Sequence, residues 1–339
     1  MTLEVNWIFI IGKLPLLDKL NFKVLNYICC PNGFGHFKRF VYLNKLFDKS
    51  NIKVNLYTNS DAWIKFANFN NVLFSNITIK NYNFPSYFEN KNKTLLFFRE
   101  MLKKIDNNLI ICDNYEEVCF LRNKIILIAN FFWNISSNDK NYLDKLNKNI
   151  LKNNCFLYGN KYFSADYIKN IINYKGIGFF GNKKSLDKKI KIKNKILFVK
   201  GFGSYKKNFE QDLLMIYNNL KKNHELIFDS NIDFAKNYGF KTANKFDEQL
   251  FSELKLIVGR PSFGILTDAI ARNIPFYPLS DKNDLESIDT KFQINNIFGT
   301  NNNIERYISE STTIYKKHKF KFKAENDLFK TILGLLNEA

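Results

Sequence analysis

Two short stretches place glycines and polar side chains where a parallel sheet could use them for chemistry. The first is Gly33-Phe34-Gly35-His36, directly after an apolar run at residues 24–30. Paired glycines let backbone approach a ligand, and an imidazole at the start of a helix suits a general base or a partner for an anion. The glycines alone carry little weight, because strand-to-helix turns often need them. His36 carries more: the chain has three histidines, and the other two, His224 and His318, lie in lysine-rich contexts that read as surface. The second stretch is Val258-Gly259-Arg260-Pro261-Ser262-Phe263-Gly264, followed by Ile265-Leu266-Thr267-Asp268-Ala269-Ile270. Pro261 and Ser262 make a stop and a helix cap, and the amides that follow could hold a phosphate. Asp268 lies about one turn inside that helix. It could accept hydrogen bonds from ribose hydroxyls, or be a surface carboxylate favoured by the helix dipole.

Two further loops follow strand-like runs. Pro278-Leu279-Ser280-Asp281 brings a second carboxylate near the first, and Lys200-Gly201-Phe202-Gly203-Ser204 could cover a diphosphate. Gly201 and Gly203 miss the nucleotide-triphosphate loop pattern, because the lysine precedes the glycines and no Gly-Lys-Ser/Thr follows. A kinase or ATPase reading is disfavoured.

The elements that must position these loops are legible as an alternation. Apolar runs of strand length at residues 24–30, 54–57, 109–112, 125–129 and 156–158 alternate with helical periodicity at 36–48, 94–105, 116–122 and 140–151. A second series has strands at 196–199, 225–228, 256–258 and 275–279, and helices at 209–220, 246–254, 264–271 and 327–336. The alternation predicts parallel sheets covered by helices, with ligands at the carboxyl ends of the strands. The charged stretch at 181–194 reads as a linker between two such units. A length of 339 residues with 45% hydrophobic content supports two cores and excludes intrinsic disorder.

The formal charge is +19. Its lysines are spread over both halves with no recognised motif, which favours a solvated basic surface over a nucleic-acid-binding module. Part of the bias follows from the Lys, Asn, Ile, Phe and Tyr that AT-rich codons encode. An anionic membrane is the electrostatic alternative. The five cysteines have no Cys-x-x-Cys spacing and read as buried thiols of a reducing compartment. Residues 7–17 are apolar but broken by Gly12, Lys13 and Pro15, which fits neither a signal peptide nor a spanning helix. They leave a membrane-surface contact, an extra edge strand or a misplaced start codon as readings. The expected setting is cytoplasmic, with peripheral attachment at the inner face of the membrane as an option.

From about Lys23 onward the chain resembles the GT-B superfamily of nucleotide-sugar glycosyltransferases, including the peptidoglycan N-acetylglucosaminyltransferase and UDP-glycosyltransferase families. Residues 27–39 are similar to that superfamily's opening strand and G-x-G-H-x-x-R loop. Asn130-Phe131-Phe132-Trp133 is similar to an N-F-x-W element after a central strand, and residues 259–280 resemble its carboxyl-half donor motif. The three patterns occur in the expected order. The resemblance implies an α/β GT-B fold of two Rossmann-like domains whose parallel sheets face a central cleft. The bounds are an extension (1–22), an acceptor domain (23–182), a linker (183–194), a nucleotide-sugar domain (195–322) and a C-terminal helix (323–339) packing back on the first domain.

The same resemblance implies a UDP-sugar donor, a glycan, lipid-linked or small-molecule hydroxyl acceptor, inversion of configuration, and no metal or other cofactor. His36 would be the general base, with Asp113 orienting it. Arg260, Ser262, Phe263 and Gly264 would surround the base and phosphates, Asp268 would bind ribose, and Asp281 would bind sugar hydroxyls. Gly201, Gly203 and Ser204 would lie beside the leaving diphosphate. Gly33, Phe34, Gly35, Arg39, Asn130 and Trp133 would line the acceptor side of the cleft, although Trp133 reads equally as core. The chain departs from the pattern in having Asp268 where Glu is usual and Arg260-Pro261 where small residues are common. It also lacks the plant-type donor signature with its stacking Trp. A hydrolase of the same fold, in which His36 and Asp113 position water, is the nearest alternative. A basic binding protein or scaffold without catalysis is the alternative from another class.

Overall fold

The computed structural model describes residues 23–85, 90–133, 135–184, 194–200, 207–301 and 303–337. The extension 1–22, most of the expected linker and the loop holding Gly201, Gly203 and Ser204 therefore lie outside the described residues.

The first unit is a wholly parallel sheet of seven strands in the order β3-β2-β1-β4-β5-β6-β7. Its strands are β1 (Val24–Cys29), β2 (Lys53–Thr58), β3 (Ile77–Asn81), β4 (Ile110–Asp113), β5 (Ile125–Ile128), β6 (Phe156–Asn160) and β7 (Tyr174–Ile177). Between them run α1 (Phe34–Lys49), α2 (Ser60–Asn70), α3 (Lys91–Leu102), a 3₁₀ turn (Glu116–Phe120), α4 (Lys140–Lys152) and α5 (Asp166–Lys169). β1, β4 and β5 are buried over nearly their whole length. They read as continuous apolar runs, as a central parallel strand covered on both faces must. The edge strand β3 is largely exposed and lacks that signature, so the sequence pattern passed over it.

The second unit has five parallel strands in the order β10-β9-β8-β11-β12. They are β8 (Lys195–Val199), β9 (Glu225–Asp229), β10 (Thr242–Ala243), β11 (Leu254–Gly259) and β12 (Phe276–Pro278). Its helices are α6 (Lys207–Leu220), α7 (Asp233–Asn237), α8 (Glu248–Glu253), α9 (Phe263–Ala271), α10 (Leu285–Phe298) and α11 (Ile304–Lys317). In each sheet the order turns back beside the first strand of the unit: β1 lies between β2 and β4, and β8 between β9 and β11. That reversal opens a crevice at the carboxyl ends of the strands.

The chain then returns to the first unit. Phe179 N–H donates to the Lys321 carbonyl (2.9 Å) and Lys323 N–H to the Gly181 carbonyl (2.9 Å), pairing the returning segment with the end of the first sheet. α12 (Ala324–Asn337) follows, with Leu328 and Ile332 fully buried in the same core as Leu25, Phe37 and Phe47. The carboxyl terminus thus covers the amino-terminal domain.

Gly259 ends β11 with φ +142°, and a Cβ there would fall 1.9 Å from the Val199 carbonyl oxygen of the neighbouring strand. Both the backbone angle and the space require glycine. Gly259→Ala is expected to cost at least about 2 kcal/mol, read as a lowered denaturant midpoint. An unchanged midpoint would show that β8 and β11 yield without penalty.

Candidate active site between the two domains

The site begins with a buried carboxylate. Asp113 closes β4, is 0% exposed, and faces the amino-terminal turn of α1. Gly33, at φ +100°, makes the turn from β1 into α1. The apolar face of α1, including Phe37 and Phe40, locks against Trp63 of α2 with ring centroids 5.5 Å apart. That packing leaves His36 and Arg39, three residues apart and so on one side of the helix, turned to Asp113. His36 Nδ1 lies 2.8 Å from Asp113 Oδ1. Arg39 forks over the same group, with Nε donating to Oδ2 at 3.1 Å and Nη2 to Oδ1.

Burial pushes the Asp113 pKa up, but Arg39 and His36 outweigh it and hold the carboxyl below its usual range. Burial likewise opposes a charge on His36, yet Cys30 and then Asp113 raise the imidazole to about 9. Nδ1 is held by Asp113, and the Cys30 side chain also hydrogen-bonds the ring.

The second domain meets this turn directly. A Cβ added to Gly35 would lie 3.9 Å from the Gly264 amide nitrogen, so the two glycine turns face each other with space for a methyl group between them. Beside them Lys38 of α1 reaches across to both oxygens of Asp268 on α9, at 2.8 and 2.9 Å. A crevice of ≈ 50 Å³ lies between the two domains. Gly35, Arg39 and Asn130 line one side, and Phe263, Gly264 and Thr267 the other. Ser262 caps α9 without a side-chain bond to the helix.

Other expected donor residues sit farther into the second domain's own network. Arg260 is 5% exposed. It commits its guanidinium to Asp284 (Nε to Oδ2, 2.6 Å) and to Glu286. The Asp281 carboxylate accepts from the Asn283 backbone amide at 2.9 Å. Glu286, which no sequence pattern marked, is buried with its pKa pushed up by desolvation, Arg260 opposing, and it also feels the charge of His36.

On the acceptor side, Phe34 packs on Phe66 (5.3 Å). The Asn130 side chain accepts from the Asn160 amide (2.7 Å) and the Ser164 hydroxyl (3.0 Å), fixing the loop beyond β5. Trp133 stands edge-on to Phe131 at 4.7 Å. In the amide orientation that satisfies both neighbours, Asn114 accepts from Trp133 Nε1 at 2.7 Å, joining Trp133 to the residue after Asp113. The helix expected at 116–122 is instead a short 3₁₀ turn. It buries two carboxylates the sequence reading missed. Lys91 Nζ bridges Glu116 (2.6 Å) and Glu117 (3.0 Å), and the Tyr142 hydroxyl donates to Glu116 at 3.1 Å. One ammonium faces two buried acids. Burial, then Glu116, raises Glu117 to about 7. Among the described residues no group of three or more His, Cys, Asp and Glu is placed to hold a metal ion, and no helix is long and apolar enough to cross a membrane.

Solved structures share this fold. UDP-glucose:anthocyanidin 3-O-glucosyltransferase in complex with UDP is similar with a TM-score of 0.59 at 9% identity, over 94% of this chain and 100% of that one. The glycotransferase of kitacinnamycin gives 0.57 at 9% identity, covering 93% and 99%. MurG of Acinetobacter baumannii gives 0.56 at 9% identity, covering 92% and 99%. The fold is GT-B. No protein-family model and no curated protein matches the sequence. Within the GT-B frame, the turn carrying His36 belongs to the amino-terminal domain and α9 to the carboxyl-terminal domain, and the crevice between them is the interdomain cleft.

The raised Glu117 pKa has a defined consequence. The folded protein holds that proton more tightly than the unfolded chain, so its contribution to stability is present below the ordinary glutamate range and is lost as pH rises through about 7. Glu117→Gln removes the loss. Its stability relative to wild type is expected to rise between about pH 5 and pH 8, measured by denaturant unfolding at each pH. A pH-independent difference would contradict the shared burial of the two acids.

Proposed function

We propose that this chain is a glycosyltransferase that moves a sugar from a nucleotide-sugar, most simply a UDP-sugar, to a hydroxyl acceptor. The observation that carries the reading is the 2.8 Å contact between His36 and the buried Asp113, on a turn that faces the glycine-led start of α9 across the cleft. In the reaction the acceptor oxygen attacks the anomeric carbon and the bond from that carbon to the diphosphate oxygen breaks. The hydroxyl proton passes to His36 Nε2, and attack opposite the leaving group inverts the anomeric centre. Asp113 stabilises the imidazolium that forms.

The nucleoside diphosphate would leave against the amides of Phe263 and Gly264, the Ser262 hydroxyl and the positive end of α9, with no divalent ion required. Asp268 would take the ribose hydroxyls, exchanging its Lys38 partner for them. Asp281 would meet the sugar, and Arg260 would act from behind by holding Asp284 and Glu286 at the amino-terminal end of α10. Gly201, Gly203 and Ser204 keep their proposed place beside the diphosphate. Gly33, Gly35, Asn130 and Trp133 shape the acceptor side, Trp133 through Asn114.

His36→Ala is expected to lower turnover by about a hundred- to ten-thousand-fold while leaving the thermal shift induced by UDP intact. For wild type, log kcat/KM should climb with pH toward the His36 value of about 9 and then level, and turnover should survive a chelator. Undiminished turnover in the His36 variant would remove it as the base. Free sugar released at the full rate without any acceptor would assign the chain to hydrolysis instead.

A further inference from the structure

The His36–Asp113 pair has a third member that general-base chemistry does not call for. Arg39 Nη2 lies 2.9 Å from His36 Nδ1 while its fork spans both oxygens of Asp113. One buried carboxylate therefore serves two cationic partners. When Nδ1 carries a hydrogen it gives it to the carboxylate, and the guanidinium then faces the imidazolium as a like charge; when Nδ1 is bare it can accept from Arg39 Nη2, which favours the neutral ring. Close cations disfavour one another's protonation, and guanidinium does not yield its proton, so the cost falls on the imidazole.

We propose that Arg39 is the positioning residue of this pair: its fork fixes the Asp113 carboxylate, and its charge weakens the hold of His36 on a proton. The proposal rests on the reading of His36 as a base, because a base pinned as imidazolium by an unshared buried carboxylate would take no proton from a hydroxyl. The groups that face His36 bear on it from every side. Cys30 at the end of β1 and Asp113 at the end of β4 favour its charge, as does Glu286 of α10 across the cleft, itself half-neutralised by Arg260. Arg39, on the same helix, is the cation opposing them at contact distance. The side chain is 13% exposed at the cleft edge, so its charge is only weakly screened by solvent.

The test is a titration of the histidine imidazoles by NMR in wild type, Arg39→Met and Arg39→Lys, with His36 assigned from a His36→Gln variant among the three histidines. The expected result is a His36 pKa higher by about one unit or more in Arg39→Met, with His224 and His318 unmoved. Arg39→Lys, which keeps the charge but not the fork, should give a smaller rise. Should Arg39→Met not fold, Arg39→Gln replaces it. A folded variant with an unchanged or lowered His36 pKa overturns the proposal.

This measurement needs no substrate, so it stands or falls apart from the assignment of glycosyl transfer. Where turnover is measurable, the rising limb of kcat against pH should move to higher pH in Arg39→Met while KM for the nucleotide-sugar holds. A uniform loss of kcat with the limb in place would mean a merely structural role and would equally overturn it.

Discussion

A carboxylate with no exposure to water is the constraint around which the first domain is built. Asp113 must stay charged to hold an imidazole, and a buried charge survives only with partners supplied by the protein. The Tyr27 hydroxyl on β1 lies 3.5 Å from it, and His36 and Arg39 on α1 lie closer still. That demand fixes the register of α1 over the sheet, since a rotation of one residue would carry both cations away together. It also explains why the helix is anchored so heavily on its other face: Phe37, Phe40 and Trp63 form one aromatic block, and α12 returns from the far end of the chain to close over it. The core is what keeps the polar triad aimed.

The second constraint is the close approach of two turns from different domains. Gly35 and Gly264 face each other across a gap in which an added Cβ at either residue would make ordinary van der Waals contact with the other, at 3.9 or 4.0 Å. The contact is framed by polar links. Lys38 joins Asp268 on one side of the cleft, and Lys169 and Asp166 join Gln293 on another, at 2.9 Å each. Such contacts are polar, partly exposed and few, the kind that domains exchange when they move. Where the chain returns to the first domain the contact is apolar instead, Phe179 packing with Tyr162, Phe320 and Phe322.

Sequence exposed those parts of this design that backbone geometry dictates. Strands buried on both faces announced themselves as apolar runs, and the turns after β1 and β11 announced themselves through Gly33, Gly35, Gly259 and Gly264. His36 and Asp113 were legible because each stands at a strand-end position. Partnership was not legible. Nothing in the string says that Lys38 reaches residue 268, because that pair depends on how two domains dock, or that Arg260 turns inward to Asp284 and Glu286, because that pair depends on how α10 packs beside the end of β11. The Lys91–Glu116–Glu117 cluster was missed for a related reason: carboxylates followed by Val-Cys-Phe carry a helical period, and only the tertiary setting shortened it to a 3₁₀ turn. The edge strands β3, β7 and β10, half-exposed and short, lacked the run that marked the others.

Asp268 is where the polar links across the cleft converge. Both of its oxygens accept from Lys38, and Oδ1 also accepts from Arg272 at 3.1 Å. In the proposed reaction ribose hydroxyls would donate to these same oxygens, so a bound donor would draw the carboxylate away from Lys38. The ammonium freed by it stays on the first helix of the opposite domain, next to where the leaving diphosphate would develop its charge. In that reading the ion pair that joins the two domains would become, once exchanged, a counter-charge for the product.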